Sequence, residues 1–381
     1  MTDPLPLMDS STILQTCFSQ SWGGLEIQAL EVTAQLQLRG HSVWLGCCTG
    51  SRLAAEAKAR SLRSVEFHVA GYVHPVIAWK LSRLIRTESI RIIHCQLSKD
   101  LSTVVPAADL SGTSPAVLLS KRVGSYLSKR DMFHRYTYSR VRRVLAISHV
   151  IRKNVLDTTP MTPDRVLTLH DAIDTSEFSP AHANRGNVRA EFGYTGEEIV
   201  VGFVGRFSPG KGHEELLHAA AEITGARPHV RFLVVGEASA GEEQYERGIR
   251  RLCTALHLDE RVTFAGFRRD VPDIMAAFDI FAFPSHAESF GVVLIEAMAM
   301  ERPVVSTNCD GVLDIVVDGE TGLFVSPGNA GELAAALCRF IDDPNLRETC
   351  GAAGRLRVLD HFDRRMQMER LETIYAEVLR S

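Results

Sequence analysis

"DIFAFPSHAESFGVVLIEAMAMERPVV", residues 279–305, decides how the rest of the chain is read. It opens as an apolar, aromatic run of strand length, "DIFAFPS". A polar loop, "HAESF", follows, and an apolar helical pattern begins near Gly291. "RPVVST" then reads as another strand. Strands alternating with helices build a parallel sheet with helices on both faces. Within the stretch, Glu288 stands in the loop and Glu296 stands inside the helix, among Leu294, Ile295, Ala297 and Met298. An unpaired acid among apolar neighbours is costly, so Glu296 needs a task.

The same alternation extends in both directions. On the N-terminal side "TILQTCF", "HSVWLGC", "VEFHVA", "IRIIHC", "AVLLSKR" and "VRRVLAIS" are strands, and "RVLTLHDAID" is a seventh running into a linker. A helix is expected from Leu25 to Arg39, stopped by Gly40. Residues 175–198 are polar and poor in periodicity, which marks a domain boundary. The pattern restarts with "EIVVGFVG", "VRFLVVG" and "RVTFAGF" before the opening stretch. The expected architecture is α/β: two tandem Rossmann-like, doubly wound parallel sheets facing a cleft. Its parts are a flexible tail (1–11), an N-terminal domain (12–178), a C-terminal domain (179–361) and a last helix (362–381) crossing back to the first domain. Ligands of such sheets bind beyond the carboxyl ends of the strands.

Composition narrows the class. The chain has 381 residues, enough for two domains, and a net charge of −4, which argues against nucleic acid as a partner. Its 8 cysteines form no C-x-x-C and mostly fall in apolar patterns, so they read as reduced thiols of a cytoplasmic protein. No apolar run reaches the roughly 18 residues of a membrane span, and the start has no signal-peptide pattern.

The unusual residues fall just after strands. In "VGRFSPGKGHEELLHA", residues 204–219, Gly205 to Lys211 fits G-x-x-x-x-G-K. A nucleotide-hydrolysing P-loop has Ser or Thr next, to hold magnesium; here Gly212 follows. Arg206 and Lys211 supply two fixed positive charges that suit a diphosphate without a metal. An ordinary solvated turn would look similar. Gly23-Gly24 follow the first strand and open a helix, either as a plain turn or as a place where phosphate meets backbone N–H groups. Glu288 is placed to project from its loop. Glu296 lies five residues beyond Gly291, about 7–8 Å along the helix axis and roughly the span from a sugar across phosphate to a ribose. Its carboxylate suits vicinal hydroxyls. The backbone around Ser289, Phe290, Gly291 and Val292 lies at a helix start, where anions are favoured.

These motifs together resemble the retaining glycosyltransferases of the GT-B fold, family 4, also called group 1. Glu288 and Glu296 fit the family's E-x7-E pattern. Gly23-Gly24 match its glycine loop, Arg206 and Lys211 its diphosphate-binding cations. "FPSHAESFGVVLIEAMAMERPVV" and "GVLDIVVDGETGLFV" match its C-terminal signature, and the likeness covers nearly the whole chain. The resemblance implies that Arg206 and Lys211 bind the donor diphosphate and that Glu296 holds the ribose. Glu288 with Phe290-Gly291 then contacts donor sugar and phosphate, and backbone near Gly266 and Phe267 reads the base. The donor is expected to be a UDP- or GDP-sugar, with no cofactor and no metal, and the chain contains no D-x-D. Two departures stand out. Where the family often has H-x-H after the fourth strand, this chain has His94 and Gln96; either could face the sugar, or His94 could simply pack. Where the linker often reads P-N-G-x-D, this chain has "LHDAID", so His170 and Asp171 either act on the acceptor or close a turn.

The acceptor is signalled by charge. Between residues 121 and 153 stand Lys121, Arg122, Lys129, Arg130, Arg135, Arg140, Arg142, Arg143, Arg152 and Lys153, against Asp131 alone, a net of +9. Tyr126, Met132, Phe133, Tyr136 and Tyr138 are interleaved. Such a stretch suits an anionic membrane or a phosphorylated glycan such as a lipopolysaccharide core, with Lys121, Arg122, Lys129 and Arg130 facing the acceptor. A solvated helix face would look the same. The expected function is transfer of a sugar to a cell-surface glycan or lipid-linked acceptor. The rival readings are a P-loop nucleotide hydrolase, a catalytically silent nucleotide-sugar-binding protein and a GT-B sugar-nucleotide epimerase.

Overall fold

The computed structural model describes residues 11–380 apart from residues 70, 72, 73 and 240. The chain forms two compact units, residues 1–170 with 367–381 and residues 171–366. The break falls at His170/Asp171, earlier than residue 178. Of the expected tail, residues 1–10 lie outside the described residues, and Ser11 is buried.

Unit 1 carries β1 (Thr12–Cys17), β2 (Ser42–Cys48), β3 (Ser64–Phe67), β4 (Ile92–Cys95), β5 (Ala116–Lys121), β6 (Val141–Ala146) and β7 (Val166–Thr168). All pairings are parallel, in the order β3-β2-β1-β4-β5-β6-β7. The strands are Val-, Ile- and Leu-rich because both faces are covered. The first helix, Gly24–Leu38, ends with Arg39 as its cap, and Gly40 follows at φ 91°. One face of the sheet packs Ile13, Ile92, Leu118 and Leu145 against Met368, Leu371, Ile374 and Tyr375 of the closing helix, Arg364–Arg380.

Unit 2 carries β8 (Ile199–Val204), β9 (Val230–Val235), β10 (Val262–Gly266), β11 (Ile280–Phe283), β12 (Val304–Thr307) and β13 (Gly322–Val325). Their order is β10-β9-β8-β11-β12-β13, again all parallel. β13 is a strand that sequence periodicity missed. The polar stretch of poor periodicity, 175–198, contains the helix Arg185–Glu191, capped by Asn184. It is anchored by Arg185 and Arg189, which both pair with Asp279 at the foot of β11.

Both sheets reverse direction of build-up between the first and fourth strands of their unit, at β1/β4 and at β8/β11. Loops leaving the carboxyl ends of those strands diverge there and leave room for a ligand. Gly23-Gly24 and Gln96 follow β1 and β4; Arg206, Lys211 and Glu288 follow β8 and β11. Among the described residues no helix is long and apolar enough to cross a membrane.

Candidate functional site

In unit 2 the two loops at the β8/β11 switch are tied to each other. His286 N donates to Gly210 O (2.8 Å), and Ser285 Oγ lies 3.4 Å from the same oxygen. Lys211 Nζ and the Glu288 carboxylate form an ion pair, and Ser285 Oγ donates to Glu288 Oε1 (3.2 Å). The side chains of this pair are largely shielded, at 26% and 16% exposure. The structure therefore joins two residues singled out separately in the sequence. Arg206 is exposed and donates from Nη1 to Ser239 Oγ (3.2 Å).

Gly212 explains the missing hydroxyl. It caps the helix His213–Ala226 at φ 83°, and a Cβ there would lie 2.2 Å from Pro284 O. A Ser or Thr at this place would collide with backbone and occupy a left-handed conformation that favours glycine. The loop thus cannot carry the magnesium-binding hydroxyl of a P-loop. Behind it, His213 stacks on Phe207 (4.5 Å between ring centres, 24° between planes), and burial pushes its pKa down to about 4. A neutral ring at neutral pH packs there as an aromatic, a role the sequence did not signal.

The loop of Glu288 is pinned on its other side by Gly311 N, which donates to Glu288 O (2.9 Å). Phe290 is buried, edge-on to Phe362 at 5.8 Å, and Ser289 is half-buried. Gly291 caps the helix Val292–Ala299 at φ 108°, so Val292 is its first residue. Glu296 sits half-buried on that helix; among the described residues nothing donates a hydrogen bond to its carboxylate. Burial, then the nearby charge of Glu177, push its pKa up to about 7, and Arg364 offsets part of this. At the end of β10, Gly266 has φ 67° and Phe267 is 60% exposed. Arg268 beside it is committed to Glu191 and Asp270.

In unit 1 His94 and Gln96 lie inside the fold. Both side chains are buried in a chain of hydrogen bonds. Gln96 Nε2 donates to Gln15 Oε1 (2.7 Å), and Gln15 Nε2 donates to Tyr375 OH (3.1 Å). His94 Nδ1 lies 2.7 Å from Tyr375 OH, and its Nε2 lies 2.8 Å from Ser120 Oγ. Burial, with Arg122 adding to it, holds the imidazole down to about 3, hence neutral. Residues two apart on a strand share a face, and the closing helix covers this one. His94 packs between Tyr375 and Ser120. Gly23 is extended, and the first turn after it holds the buried Glu26, so an acid already occupies the positive end of that helix. His170 O accepts from Gln367 Nε2 (2.6 Å), and Asp171 is buried, which fits closure of the linker.

A further acid, Asp100, escaped the sequence reading. Its Oδ2 accepts from Thr16 Oγ1 (3.2 Å) and Phe18 N (3.3 Å), holding the end of β1. Burial pushes it up to about 7. On the basic stretch, Lys121 and Lys129 are half-buried, Arg122 is buried and Arg130 is exposed.

Known proteins share this architecture. Residues 22–177 match the family model Glycosyltransferase Family 4, and residues 184–357 match Glycosyl transferases group 1. The chain is 35% identical over 188 residues to the capsular polysaccharide biosynthesis glycosyltransferase CapM of Staphylococcus aureus, covering 48% of this chain and 47% of CapM. The chain thus matches about half the length of such curated relatives. A glycosyltransferase from Rickettsia africae superimposes with a TM-score of 0.88 at 21% identity, over 97% of this chain and 99% of that one. Anabaena HepE in complex with UDP gives 0.85 at 22%, over 96% and 100%. Two family matches in tandem, each falling on one of two parallel sheets of the GT-B fold, make this chain a member of the family 4, or group 1, glycosyltransferases.

Proposed function

We propose that the chain transfers a sugar from a nucleotide diphosphate sugar, with retained configuration and without an essential metal, to a cell-surface glycan or a lipid-linked acceptor. The observation that carries this is the Lys211–Glu288 ion pair at the β8/β11 switch, with Glu296 unpaired on the adjoining helix. CapM and HepE support the donor class, the one by its glycosyltransferase name and the other by its bound UDP.

In this mechanism the donor diphosphate displaces Glu288 from Lys211. Lys211 and Arg206 then face the negative charge that grows on the leaving phosphate as the sugar–oxygen bond breaks. Glu288, released, accepts hydrogen bonds from sugar hydroxyls. Glu296 accepts both ribose hydroxyls, a bidentate contact that compensates its buried charge. The leaving phosphate takes the acceptor proton on the same face, so no side chain serves as base. His94 and Gln96 support the sheet and take no part. The basic stretch 121–153 lies on the acceptor side, and a phosphorylated glycan such as a lipopolysaccharide core, or contact with an anionic membrane, belongs to the same reading.

Thermal shifts with UDP, GDP, ADP and ATP, each with and without magnesium, test it, because a ligand of the folded state stabilises by mass action. Stabilisation by one diphosphate without magnesium, lost in Glu296→Ala, is expected. Stabilisation only by ATP with magnesium, indifferent to Glu296, would sink it. Retention is read from the anomeric configuration of the product, and inactivation by EDTA with recovery on magnesium addition would remove the metal-free step.

A further inference from the structure

The loop of Glu288 is joined to the segment around Lys211 by more than the contacts described above. The His286 ring reaches across to the helix that follows Lys211, with Nε2 2.8 Å from Glu215 Oε1. A carboxylate only accepts, so the ring donates, and both the cation and one neutral tautomer carry the proton needed. Glu215 stands in the first turn of the helix His213–Ala226, where the helix dipole favours an acid. Its side chain is 14% exposed, and among the described residues its other oxygen, Oε2, is buried without a hydrogen-bond partner. The shielded carboxylate is thus answered from the Glu288 loop.

The position of His286 gives this contact a task. From the β12 side, Thr307 Oγ1 donates to Ser285 O, and Gly311 N donates to Glu288 O (2.9 Å). Toward Lys211, His286 holds the loop twice, by its backbone N–H to Gly210 O (2.8 Å) and by its ring to Glu215. The Lys211–Glu288 ion pair holds the same side. In the mechanism above, the donor diphosphate opens that ion pair. Contacts through His286 then keep the loop against Gly210 while Glu288, Phe290 and Gly291 meet the donor. A loop already ordered loses less freedom when a ligand seats on it.

We propose that His286 and Glu215 are a positioning pair, a second clasp that keeps the Glu288 loop in register with Lys211 while the donor diphosphate separates Lys211 from Glu288. The donor in this statement rests on the function proposed above; the clasp itself does not.

Hydrogen exchange of the full-length chain, read by mass spectrometry on peptides covering residues 284–291, reports opening of this loop, because the amide at position 286 is bonded to Gly210 O. His286→Ala and Glu215→Ala are each expected to speed exchange there about fivefold, and together no more than either alone, since both remove one contact. His286→Gln, whose side-chain amide can still donate to Glu215, is expected to restore most of the protection. Glu288→Ala removes the other clasp, so its effect is expected to multiply with that of His286→Ala. Peptides from β9 keep their rates in every variant, which separates release of the loop from a general loss of stability. Titration with UDP, GDP and ADP is the second readout. Whichever binds the wild type is expected to bind His286→Ala about fivefold more weakly and His286→Gln nearly as well as wild type. Unchanged exchange in His286→Ala, or effects that multiply between His286→Ala and Glu215→Ala, overturn the clasp. Faster exchange with unchanged nucleotide affinity overturns its role at the donor site. If no nucleotide binds the wild type, the transferase reading falls and the exchange rates alone decide the clasp.

Discussion

In the proposed function Glu296 ties nucleotide binding to pH. Its folded pKa lies near 7, above the ordinary 4.5, because burial disfavours the charge. A raised carboxyl contributes no penalty below the unfolded pKa. Between the two values the free chain loses stability as pH rises, since the ionised form is unwelcome. Ribose hydroxyls reverse that by donating to the charged form. UDP or GDP is therefore expected to bind more tightly as pH passes through about 7, and Glu296→Gln to flatten the profile. Calorimetric titration at about pH 6 and about pH 8 checks this; a flat wild-type profile would remove Glu296 from the ribose. Gly212 gives a second residue-scale prediction. Gly212→Ser forces a side chain against Pro284 O and is expected to cost about 1–3 kcal/mol in chemical denaturation, without creating ATP–magnesium binding.

At the scale of elements, the closing helix and the sheet of unit 1 share one polar chain. Tyr375→Phe removes the hydroxyl that meets both Gln15 and His94 inside the core. The expected loss is about 1–3 kcal/mol, seen as a lower denaturation midpoint, with nucleotide binding in unit 2 unchanged. A fall in nucleotide affinity instead would return this network to the site. The same network shows where sequence reading runs out. Strands such as "VVGFV" and "IFAF" were legible because a sheet covered on both faces demands continuous apolar runs. Lys211 and Glu288 stand in the loops that follow two such runs, and the structure pairs them. β13 was missed because four residues, "GLFV", carry too little period to separate from a loop. The burial of His94 and Gln96 was not legible because their surroundings come from Tyr375, 281 residues further along than His94. Asp100 was missed for the same reason: its partners, Thr16 and Phe18, lie on another strand.

For the whole molecule, the division into residues 171–366 on one side and 1–170 with 367–381 on the other sets what each part can do alone. Every residue placed at the proposed diphosphate and ribose contacts lies in unit 2. A fragment of residues 171–366 is expected to fold and retain stabilisation by the nucleotide diphosphate, read by thermal shift. Residues 1–170 alone are expected to remain partly unfolded and to bind an apolar dye, because Leu371, Ile374 and Tyr375 are missing from their core. A cooperative melt for that fragment would show the helix to be dispensable.

That last helix also fixes the order in which a ribosome can finish the work. The first sheet leaves the exit tunnel early, yet one of its faces stays bare while all of unit 2 is translated. Unit 2, begun later, has every strand it needs before the helix Arg364–Arg380 appears. The domain translated first is thus the last to be completed, and a stalled or truncated nascent chain presents Ile13, Ile92, Leu118 and Leu145 as a sticky surface for chaperones or aggregation.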